Sequence, residues 1–555
     1  MVQGLGEHGI SELGIEAGSV PALLDASVAR YGPHPALNFM GRRWTYTQLG
    51  QLVDAAAAGL QRMGVGKGSR VGLCLPNTPY SVVFYFAILK TGATVVNFSP
   101  LYVEPELRHQ ILDSGTTIMV VPDLKVIHAR VHAVASESGL KTIIVCPMQG
   151  ILPFLKGCLF HMFKRADHAQ FREGDGLHLR YETLVRGVGA PKAVAIDPQS
   201  DLAVLQYTGG TTGVAKGAML THLNLTANAR QVIAHVKCLE PTRERILGVL
   251  PLFHVFAMTN VMNIPITLGA EIILVPRFNL EDLIATIARE KPTLFPGVPT
   301  IFTAINHAPG VDKASLSSLK LCISGGAPLP GEVRHAFEAV SGCKLVEGYG
   351  LSETSPVLTA NPPLGVIKDG SVGLPVPGTR IEIRELGAPD RVLGVGERGE
   401  VCARGPQVMQ GYWNRPRETR DVFVDGALRT GDVGYLDEDG YLFLVDRIKD
   451  VILCGGYNVY PRRIEEALYL HPAVAEAVAI GIPDSYRGQA PKAFVTLKQD
   501  HSATPEELLE FLGTQISRIE LPKVVEIRQF LPKTMVGKLS KKELVEEEMS
   551  RHSAS

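Results

Sequence analysis

The chain has 555 residues, of which 55 are Lys or Arg and 56 are Asp or Glu, so its formal net charge is −1. With 45% hydrophobic residues it can bury a large core, which excludes a disordered protein. At roughly 150 residues per domain, the length predicts about three to four domains or one large multi-lobed body. A balanced charge argues against a nucleic-acid-binding protein, because phosphate recognition needs clustered cations.

Cysteine spacing and the N-terminal residues bear on the cellular compartment. The eight cysteines contain no CxxC pair, so a zinc knuckle and a dense disulfide framework are not expected. The first 18 residues lack a basic start followed by an apolar core, so no secretory signal is expected. Both features predict a cytoplasmic protein with reduced thiols.

An uncharged stretch at residues 246–270 is long enough to span a bilayer. Pro251 and Pro265 interrupt it, together with His254 and two asparagines. Breaks at that density do not suit a lipid-facing helix. The stretch is therefore predicted to form buried strands and turns.

In chain order, short β-rich apolar runs alternate with helical patterns, as in RVGLCLPN, SVVFYFAILKTG and ATVVNFSP, and again in PTLFPGVP, PTIFTAINHA and LKLCISGGAPL. This alternation predicts a multi-layer α/β fold. From about Gly399 the runs become strands joined by turns, and a small α+β segment follows. The charged tract Asp446–Asp450 between two apolar strands is the predicted boundary of a smaller C-terminal lid.

A Gly- and Thr-rich segment, YTGGTTGVAKG at 207–217, follows an apolar strand and precedes a helical pattern. Glycines let backbone amides crowd an anion, threonines add hydroxyl donors, and Lys216 adds a positive charge. The residue after Lys216 is Gly217, not Ser or Thr, so the segment is not a Walker A loop. The pattern predicts a loop for nucleotide phosphates.

This loop resembles that of the adenylate-forming superfamily, which contains acyl-CoA synthetases, luciferases and nonribosomal adenylation domains. Ala215 stands where relatives usually carry Pro. Further family-like stretches follow in order: PLFHVFA at 251–257, SGGAPLP at 324–330, EGYGLSETSP at 347–356, RTGDVGYLDEDG at 429–440, VDRIKD at 445–450, GGYNVYPRRIEE at 455–466 and PKTMVGKLSKKEL at 532–544. The resemblance implies an adenylation domain at 1–447 and a mobile C-terminal domain at 448–555.

The resemblance also implies which residues form the nucleotide site. Catalysis is assigned to Lys538, Glu353 and Thr208, and the last two would hold Mg²⁺. The implied ATP- or AMP-binding residues are Thr208, Gly209, Gly210, Thr211, Thr212, Gly213, Lys216, Gly325, Gly326, Ala327, Glu347, Gly348, Tyr349, Gly350, Ser352, Asp432, Arg447 and Lys538. In such a site Tyr349 would stack on adenine, and Asp432 and Arg447 would reach the ribose. Taken without the resemblance, Lys538 would be one lysine in a solvated basic run.

A moving lid and two substrate pockets follow from the same resemblance. Lys449 matches the hinge position, and Lys538 would stabilise charge on the carboxylate that attacks the α-phosphate. The acyl pocket would contain Phe253, His254, Phe256 and Met258, although a lone His in an apolar run is equally consistent with core packing.

Coenzyme A is the implied acceptor, approaching along Gly455, Gly456 and Tyr457, because the tail after Lys538 is too short for a carrier domain. The expected substrate is a medium- to long-chain fatty acid. An aromatic-acid ligase and an acyl-AMP ligase remain alternatives, as does a non-catalytic lipid or nucleotide sensor.

Residues 151–167 resemble an insert of bacterial long-chain fatty acid ligases. Ile151, Leu155, Cys158 and Met162 recur at helical spacing near basic residues. The segment could lie on the inner face of an anionic membrane, or it could be a helix packed on the core. The sequence does not determine the oligomeric state.

Overall fold

The computed structural model describes residues 18–163, 167–208, 215–454, 457–484, 486–534 and 537–553. Of the residues assigned from the sequence, Gly209, Gly210, Thr211, Thr212, Gly213, Gly455 and Gly456 lie outside the described residues.

The first large sheet has the order β7-β6-β5-β3-β4-β8-β9 in the described part of the chain. Its strands are β3 (Arg70–Leu73), β4 (Thr94–Asn97), β5 (Ile118–Pro122), β6 (Thr142–Cys146), β7 (His178–Arg180), β8 (Leu202–Thr208) and β9 (Lys216–Thr221). All neighbours pair in parallel except β8 and β9, which are antiparallel. The phosphate loop therefore joins two antiparallel strands, and a strand separates it from the helix that the sequence placed directly after it.

The second large sheet has the order β16-β15-β14-β13-β12-β10-β11-β1-β2 across the described residues. Its strands are β1 (Pro35–Phe39), β2 (Arg42–Thr45), β10 (Arg245–Gly248), β11 (Glu271–Leu274), β12 (Leu294–Gly297), β13 (Leu321–Gly325), β14 (Lys344–Gly350), β15 (Val357–Ala360) and β16 (Leu374–Pro375). The central strands are parallel, so β12, β13 and β14 all end at one edge. Ligands of open α/β sheets bind at such an edge.

A smaller antiparallel sheet follows these two. It contains β17 (Arg380–Arg384), β18 (Gly399–Arg404), β19 (Phe423–Val424), β20 (Ala427–Leu436) and β21 (Leu442–Arg447). In the pairing of β20 with β21, Asp432 lies opposite Arg447.

The C-terminal region has its own sheet and its own apolar core. The sheet contains β22 (Ile452–Cys454), β23 (Tyr457–Val459), β24 (Val474–Asp484), β25 (Gly488–Leu497) and β26 (Val524–Ile527). Ile464, Leu468, Val495 and Leu508 pack together in a buried cluster of this region. The predicted fold of a large N-terminal part and a small α+β C-terminal domain is confirmed.

Helices cover the sheets and connect the strands. The α-helices are Val20–Tyr31, Tyr46–Arg62, Pro79–Lys90, Glu104–Ser114, Lys125–Ser138, Phe154–Phe163, Tyr181–Val185, His222–Val236, Val255–Ala257, Ile264–Leu268, Leu280–Glu290, Pro299–Asn306, Lys313–Leu316, Gly331–Ser341, Pro416–Asp421, Pro461–Tyr469, Pro505–Gln515 and Lys541–Ser553. The 3₁₀ segments are Met148–Ile151, Ser352–Thr354 and Ile448–Asp450, and Met258–Asn263 is a π-helix.

The uncharged stretch 246–270 lies in the core, as predicted, but its secondary structure differs from the prediction. Only its first residues form a strand, and most of the remainder is helical. Pro265 comes just after the π-helix Met258–Asn263, so it stands where the helix already departs from the regular i→i−4 hydrogen-bond pattern that proline would interrupt. None of the helices in the described part of the chain has the length and apolar character needed to cross a bilayer.

Helix Phe154–Phe163 carries an exposed apolar face. Phe154 is 83% exposed, Leu155 74% and Met162 63%, and Leu159 and Cys158 are exposed as well. Ile151 is buried, and Phe160 packs against the core from the opposite side. Core packing therefore anchors one side of the helix and leaves the other without a cover.

Candidate active site

The side chain of Lys538 reaches from the C-terminal domain to the end of β13. A β-carbon built on Gly326 would lie 2.4 Å from Lys538 Cε and 2.6 Å from its Nζ. Burial and the neighbouring charge of Arg447 lower the pKa of Lys538 to about 8. A lysine in this setting is still mostly protonated near neutral pH, and it faces the carboxyl ends of the parallel strands.

His254 lies close enough to Lys538 for the two charges to interact. Burial, and then the charge of Lys538, lower the pKa of His254 to about 3, so the imidazole is neutral. Its Nδ1 accepts a hydrogen bond from the backbone N of Phe256 at 3.2 Å, which caps the short helix that follows. His254 thus combines a structural capping bond with a position beside the cationic lysine.

Asp432 connects three elements of the site. Its Oδ1 accepts a hydrogen bond from Arg447 Nε at 2.8 Å, and its Oδ2 accepts one from the Tyr349 hydroxyl at 2.6 Å. Burial, reinforced by the charge of Asp432, raises the pKa of Tyr349, and the carboxylate raises that of Arg447. The antiparallel pairing of β20 with β21 and the end of β14 bring these residues together.

Glu353 lies in the 3₁₀ segment Ser352–Thr354, which contacts both β8 and β9. Its Oε1 accepts a hydrogen bond from the Tyr412 hydroxyl at 2.7 Å, and Lys216 Nζ lies 5.2 Å from the centre of the Tyr412 ring. Burial and the adjacent carboxylate raise the pKa of Tyr412. The tyrosine therefore joins the predicted metal ligand to the predicted phosphate lysine.

Thr208 and Lys216 are paired across the β8–β9 ladder. The Thr208 hydroxyl lies 3.5 Å from the backbone oxygen of Lys216. Magnesium binds few protein carboxylates and keeps several waters. One carboxylate at Glu353 with one hydroxyl at Thr208 on adjoining elements fits such an ion.

The remaining nucleotide residues lie where β13 and β14 end. Gly325, Gly348 and Gly350 belong to these strands, and Gly326 and Ala327 follow β13. A β-carbon on Gly350 would come within 1.8 Å of the backbone oxygen of Pro356, so only glycine fits there. Ser352 begins the 3₁₀ segment that also carries Glu353.

Glu347 is buried and interacts with a charge of the C-terminal domain. Its Oε1 accepts a hydrogen bond from the backbone N of Leu329 at 3.2 Å, and it is only 7% exposed. Burial raises the pKa of Glu347 to about 7, and the charge of Arg462 opposes that rise. Because Arg462 belongs to lid helix Pro461–Tyr469, the Glu347 carboxyl lies against the lid.

The predicted acyl-pocket residues follow β10. Phe256 lies beside Gly325, since a β-carbon on that glycine would be 3.1 Å from Phe256 Cζ. The backbone oxygen of Phe253 accepts a hydrogen bond from Gln206 Nε2 at 3.1 Å. Met258 is fully buried and begins the π-helix, a form often found at functional sites.

The residues predicted for the hinge and the coenzyme A path follow Arg447 in the chain. Lys449 is in the 3₁₀ segment Ile448–Asp450 between the last N-terminal strand and the first C-terminal one, and burial lowers its pKa. Tyr457 begins β23 and is 65% exposed.

Sequence reasoning missed Tyr412 and Thr300. Tyr412 occurs in Gly411-Tyr412-Trp413, and its partner Glu353 lies 59 positions earlier. The Thr300 hydroxyl donates to the backbone oxygen of Gly537, a residue 237 positions away. The sequence spacing of Tyr412 and Thr300 relative to their partners does not predict either contact.

A glycine-rich phosphate loop, a lysine delivered from a small C-terminal domain and an acid–arginine pair at the strand ends define an adenylate-forming enzyme. The chain belongs to the AMP-binding enzyme family: the model of that family matches residues 24–413, and that of the AMP-binding enzyme C-terminal domain matches residues 463–538. The resemblance to the superfamily is thereby confirmed.

Individual relatives cover almost the whole chain. A long-chain-fatty-acid–CoA ligase of Bacillus subtilis (strain 168) is 43% identical over 98% of this chain and 96% of its own length. One of the same name from Escherichia coli O157:H7 is 39% identical over 95% of this chain and 94% of its own. The crystal structure of the anthranilate CoA ligase AuaEII in complex with anthranoyl-AMP has a TM-score of 0.87 at 25% identity and covers 97% of this chain and 98% of that one.

Proposed function

We propose that the protein ligates a medium- to long-chain fatty acid to coenzyme A through an acyl-adenylate, with release of AMP and pyrophosphate. The observation that carries the proposal is the partly desolvated Lys538 against Gly326, next to the Arg447–Asp432 pair. A C-terminal domain that places a cationic lysine at the strand ends suits a reaction in which negative charge has to be stabilised there. The names of the relatives at 43% and 39% identity support the acyl and thiol substrates.

In the first half-reaction an oxygen of the fatty carboxylate attacks the α-phosphorus of ATP. A P–O bond forms to the acyl group, and the P–O bond to pyrophosphate breaks. Lys538 donates hydrogen bonds to the oxygens on which negative charge is concentrated as these bonds change. Because its pKa is lowered to about 8, most Lys538 is still cationic at pH 7.

The other site residues bind and orient the nucleotide. Asp432 accepts hydrogen bonds from the ribose hydroxyls, and Arg447 and Tyr349 fix the direction of its carboxylate. Lys216 and the loop residues 209–213 contact the phosphates. Glu353 and Thr208 would hold magnesium, which would supply positive charge to the nucleotide phosphates.

In the second half-reaction the sulfur of coenzyme A attacks the acyl carbonyl carbon, and the bond from that carbon to the AMP oxygen breaks. The segment that begins at residue 448 turns about Lys449, withdraws Lys538 and brings Gly455, Gly456 and Tyr457 to the acyl-adenylate. One rotation of the C-terminal domain thereby lets the same site carry out the two half-reactions one after the other. Exposure of Tyr457 supports this role, since a residue that engages a second substrate must be accessible first.

The acyl chain enters beside Phe256 and extends toward the π-helix that begins at Met258. The residues there include Phe256, Met258 and Met262, and methionine adapts to irregular apolar ligands. His254 stands where the pocket meets the lysine, and its neutral imidazole leaves the fatty carboxylate with Lys538 as its cationic partner.

Peripheral binding to the inner face of an anionic membrane is part of the proposal. Helix Phe154–Phe163 presents Phe154, Leu155, Leu159 and Met162 to solvent, and the exposed Lys156, whose Nζ donates to the backbone oxygen of Met40 at 3.0 Å, adds a positive charge to the same helix. A cytoplasmic location agrees with eight free cysteines. A ligase at the bilayer surface meets its sparingly soluble substrate where that substrate dissolves.

A substrate panel tests the proposed reaction. Pyrophosphate release with ATP, Mg²⁺ and coenzyme A is measured for acids of 12 to 18 carbons, for coumarate and for acetate. The long acids are expected to react fastest, and Lys538→Ala is expected to lose about 10²- to 10³-fold of the activity. Faster turnover of coumarate or acetate would contradict the proposed substrate, and an inactive wild type would contradict the reaction.

A further inference from the structure

One hydrogen bond joins the large domain to the turn that carries Lys538. The hydroxyl of Thr300 donates to the backbone oxygen of Gly537 at 2.6 Å. Thr300 is the second residue of helix Pro299–Asn306, which follows β12, and it is partly buried. A β-carbon on Gly537 would lie 3.5 Å from Thr300 Oγ1 and 3.6 Å from Val298 Cγ2, so the turn is in direct contact with the start of this helix.

The turn itself is held as a unit. The backbone N of Thr534 donates to the oxygen of Lys538 at 2.7 Å, and Gly537 N donates to the oxygen of Thr534 at 2.8 Å. The Thr534 hydroxyl accepts from the backbone N of Lys538 at 3.1 Å. Whatever fixes Gly537 therefore fixes the backbone from which the Lys538 side chain extends.

Two other hydrogen bonds between the described parts of the domains lie close to the hinge in sequence. Arg462 Nη1 donates to the oxygen of Leu444 at 3.0 Å, and Arg462 N donates to Asp446 Oδ2 at 2.9 Å. Such contacts near a pivot change little for a small rotation. The Thr300–Gly537 bond holds the turn that carries the reactive lysine, so it cannot persist once that turn leaves the large domain.

We infer that Thr300 is a positioning residue that latches the lid in the adenylation orientation. The inference rests on the proposed two-step reaction and adds a residue that acts on one step only. When the lid turns to admit coenzyme A, Gly537 leaves helix Pro299–Asn306 together with Lys538, and the hydroxyl loses this partner. Thr300 thus favours the orientation of the first half-reaction, and loss of its hydroxyl shifts the lid toward the orientation of the second.

The chain offers a matched control three residues further along. The hydroxyl of Thr303 donates to the backbone oxygen of Pro299 at 3.0 Å, inside its own helix. Thr303 lines a cleft of about 440 Å³ between the two domains. Thr300→Val and Thr303→Val therefore remove the same group from the same helix, but only the first removes the bond to the lid.

The test measures the two half-reactions separately in the full-length protein. Acyl-adenylate formation from palmitate, ATP and Mg²⁺ is followed without coenzyme A, and thioester formation is followed from preformed palmitoyl-adenylate with coenzyme A. Thr300→Val is expected to slow adenylation about threefold to tenfold, the effect of one lost hydrogen bond. Thioester formation should not slow, because the lost bond is absent from the second orientation. Thr300→Ser, which keeps the hydroxyl, and Thr303→Val should both stay within twofold of wild type.

The outcomes separate the latch from the proposed reaction. Equal slowing of both half-reactions by Thr300→Val, or no slowing of either in an active wild type, would overturn the latch alone. Failure of Thr300→Ser to restore adenylation would overturn it as well. A wild type that forms neither acyl-adenylate nor thioester would overturn the reaction and the latch together.

Discussion

Lys538 and Gly326, which are 212 positions apart in the sequence, meet so closely that a β-carbon on the glycine would lie 2.4 Å from the lysine Cε. Gly326 has φ +82°, a conformation that side chains rarely adopt. The absence of a side chain at this position therefore makes room for a cation supplied by another domain.

Gly326→Ala should displace Lys538 and reduce the rate of acyl-adenylate formation at least tenfold, because the added methyl group occupies the space of the lysine stem. Gly331→Ala is the control, since a β-carbon there meets nothing within 4 Å. In a Lys538→Ala background the Gly326 substitution should have much less effect. Additive losses in that double-mutant cycle would contradict a steric mechanism.

The adenylation half-reaction should depend on pH through Lys538. The pKa of this lysine is lowered to about 8, so the active cationic form is present below that pH and is lost as the pH rises through it. The kcat/KM for pyrophosphate release without coenzyme A should therefore fall above about pH 8 with the slope of one proton. The residual activity of Lys538→Ala should be flat over the same range, and a parallel fall in that variant would assign the titration to another group.

Asp432 is expected to determine affinity for the nucleotide. Asp432→Ala removes the carboxylate that Tyr349 and Arg447 orient, and the KM for ATP should rise about 10- to 100-fold, as for a lost hydrogen bond to a charged group. Tyr349→Phe removes one of the two hydrogen bonds that orient Asp432, and it should raise the KM for ATP only about threefold. If Asp432→Ala lowered kcat at unchanged KM, the assignment to ribose binding would be wrong.

Magnesium dependence tests the Glu353 site. Glu353→Gln keeps an acceptor for the Tyr412 hydroxyl but removes the charge that an oxygen-loving cation requires. The Mg²⁺ concentration for half-maximal activity should rise about tenfold, the usual scale when a metal-site group is altered. Tyr412→Phe keeps the ring under Lys216 and should shift the midpoint less. Equal midpoints in all three proteins would place the metal elsewhere.

Membrane contact is tested by co-sedimentation with vesicles of phosphatidylcholine and phosphatidylglycerol. Leu155→Ser with Leu159→Ser should weaken binding about a hundredfold or more, because each leucine buried in lipid is worth roughly 1.5–3 kcal/mol. Leu112→Ser alters a leucine that is 56% exposed on another helix and should bind as wild type does. Loss of binding in all variants alike, or in none, would exclude this helix as the contact.

Much of the fold could be predicted from local pattern. The runs RVGLCLPN and LKLCISGGAPL became β3 and β13, and PTIFTAINHA became helix Pro299–Asn306. The hydrophobic periodicity of each segment and the turn residues that flank it are local features, and they do not depend on distant partners. The secondary structure of residues 246–270 was harder to predict. A segment that is apolar on every side indicates burial but does not distinguish a strand from a helix.

By itself the sequence determined the layered α/β class and the order of the motifs that led to the AMP-binding family, and it predicted a phosphate loop at 207–217. Only the tertiary structure decided that Tyr412 holds Glu353, that Thr300 holds Gly537, and that helix Phe154–Phe163 keeps an apolar face uncovered. The physical reason is the distance along the chain over which the deciding interactions act. Backbone conformation follows from neighbours within a few residues, whereas the environment of Lys538 is created by groups from three distant elements that meet when the small domain docks on the large one.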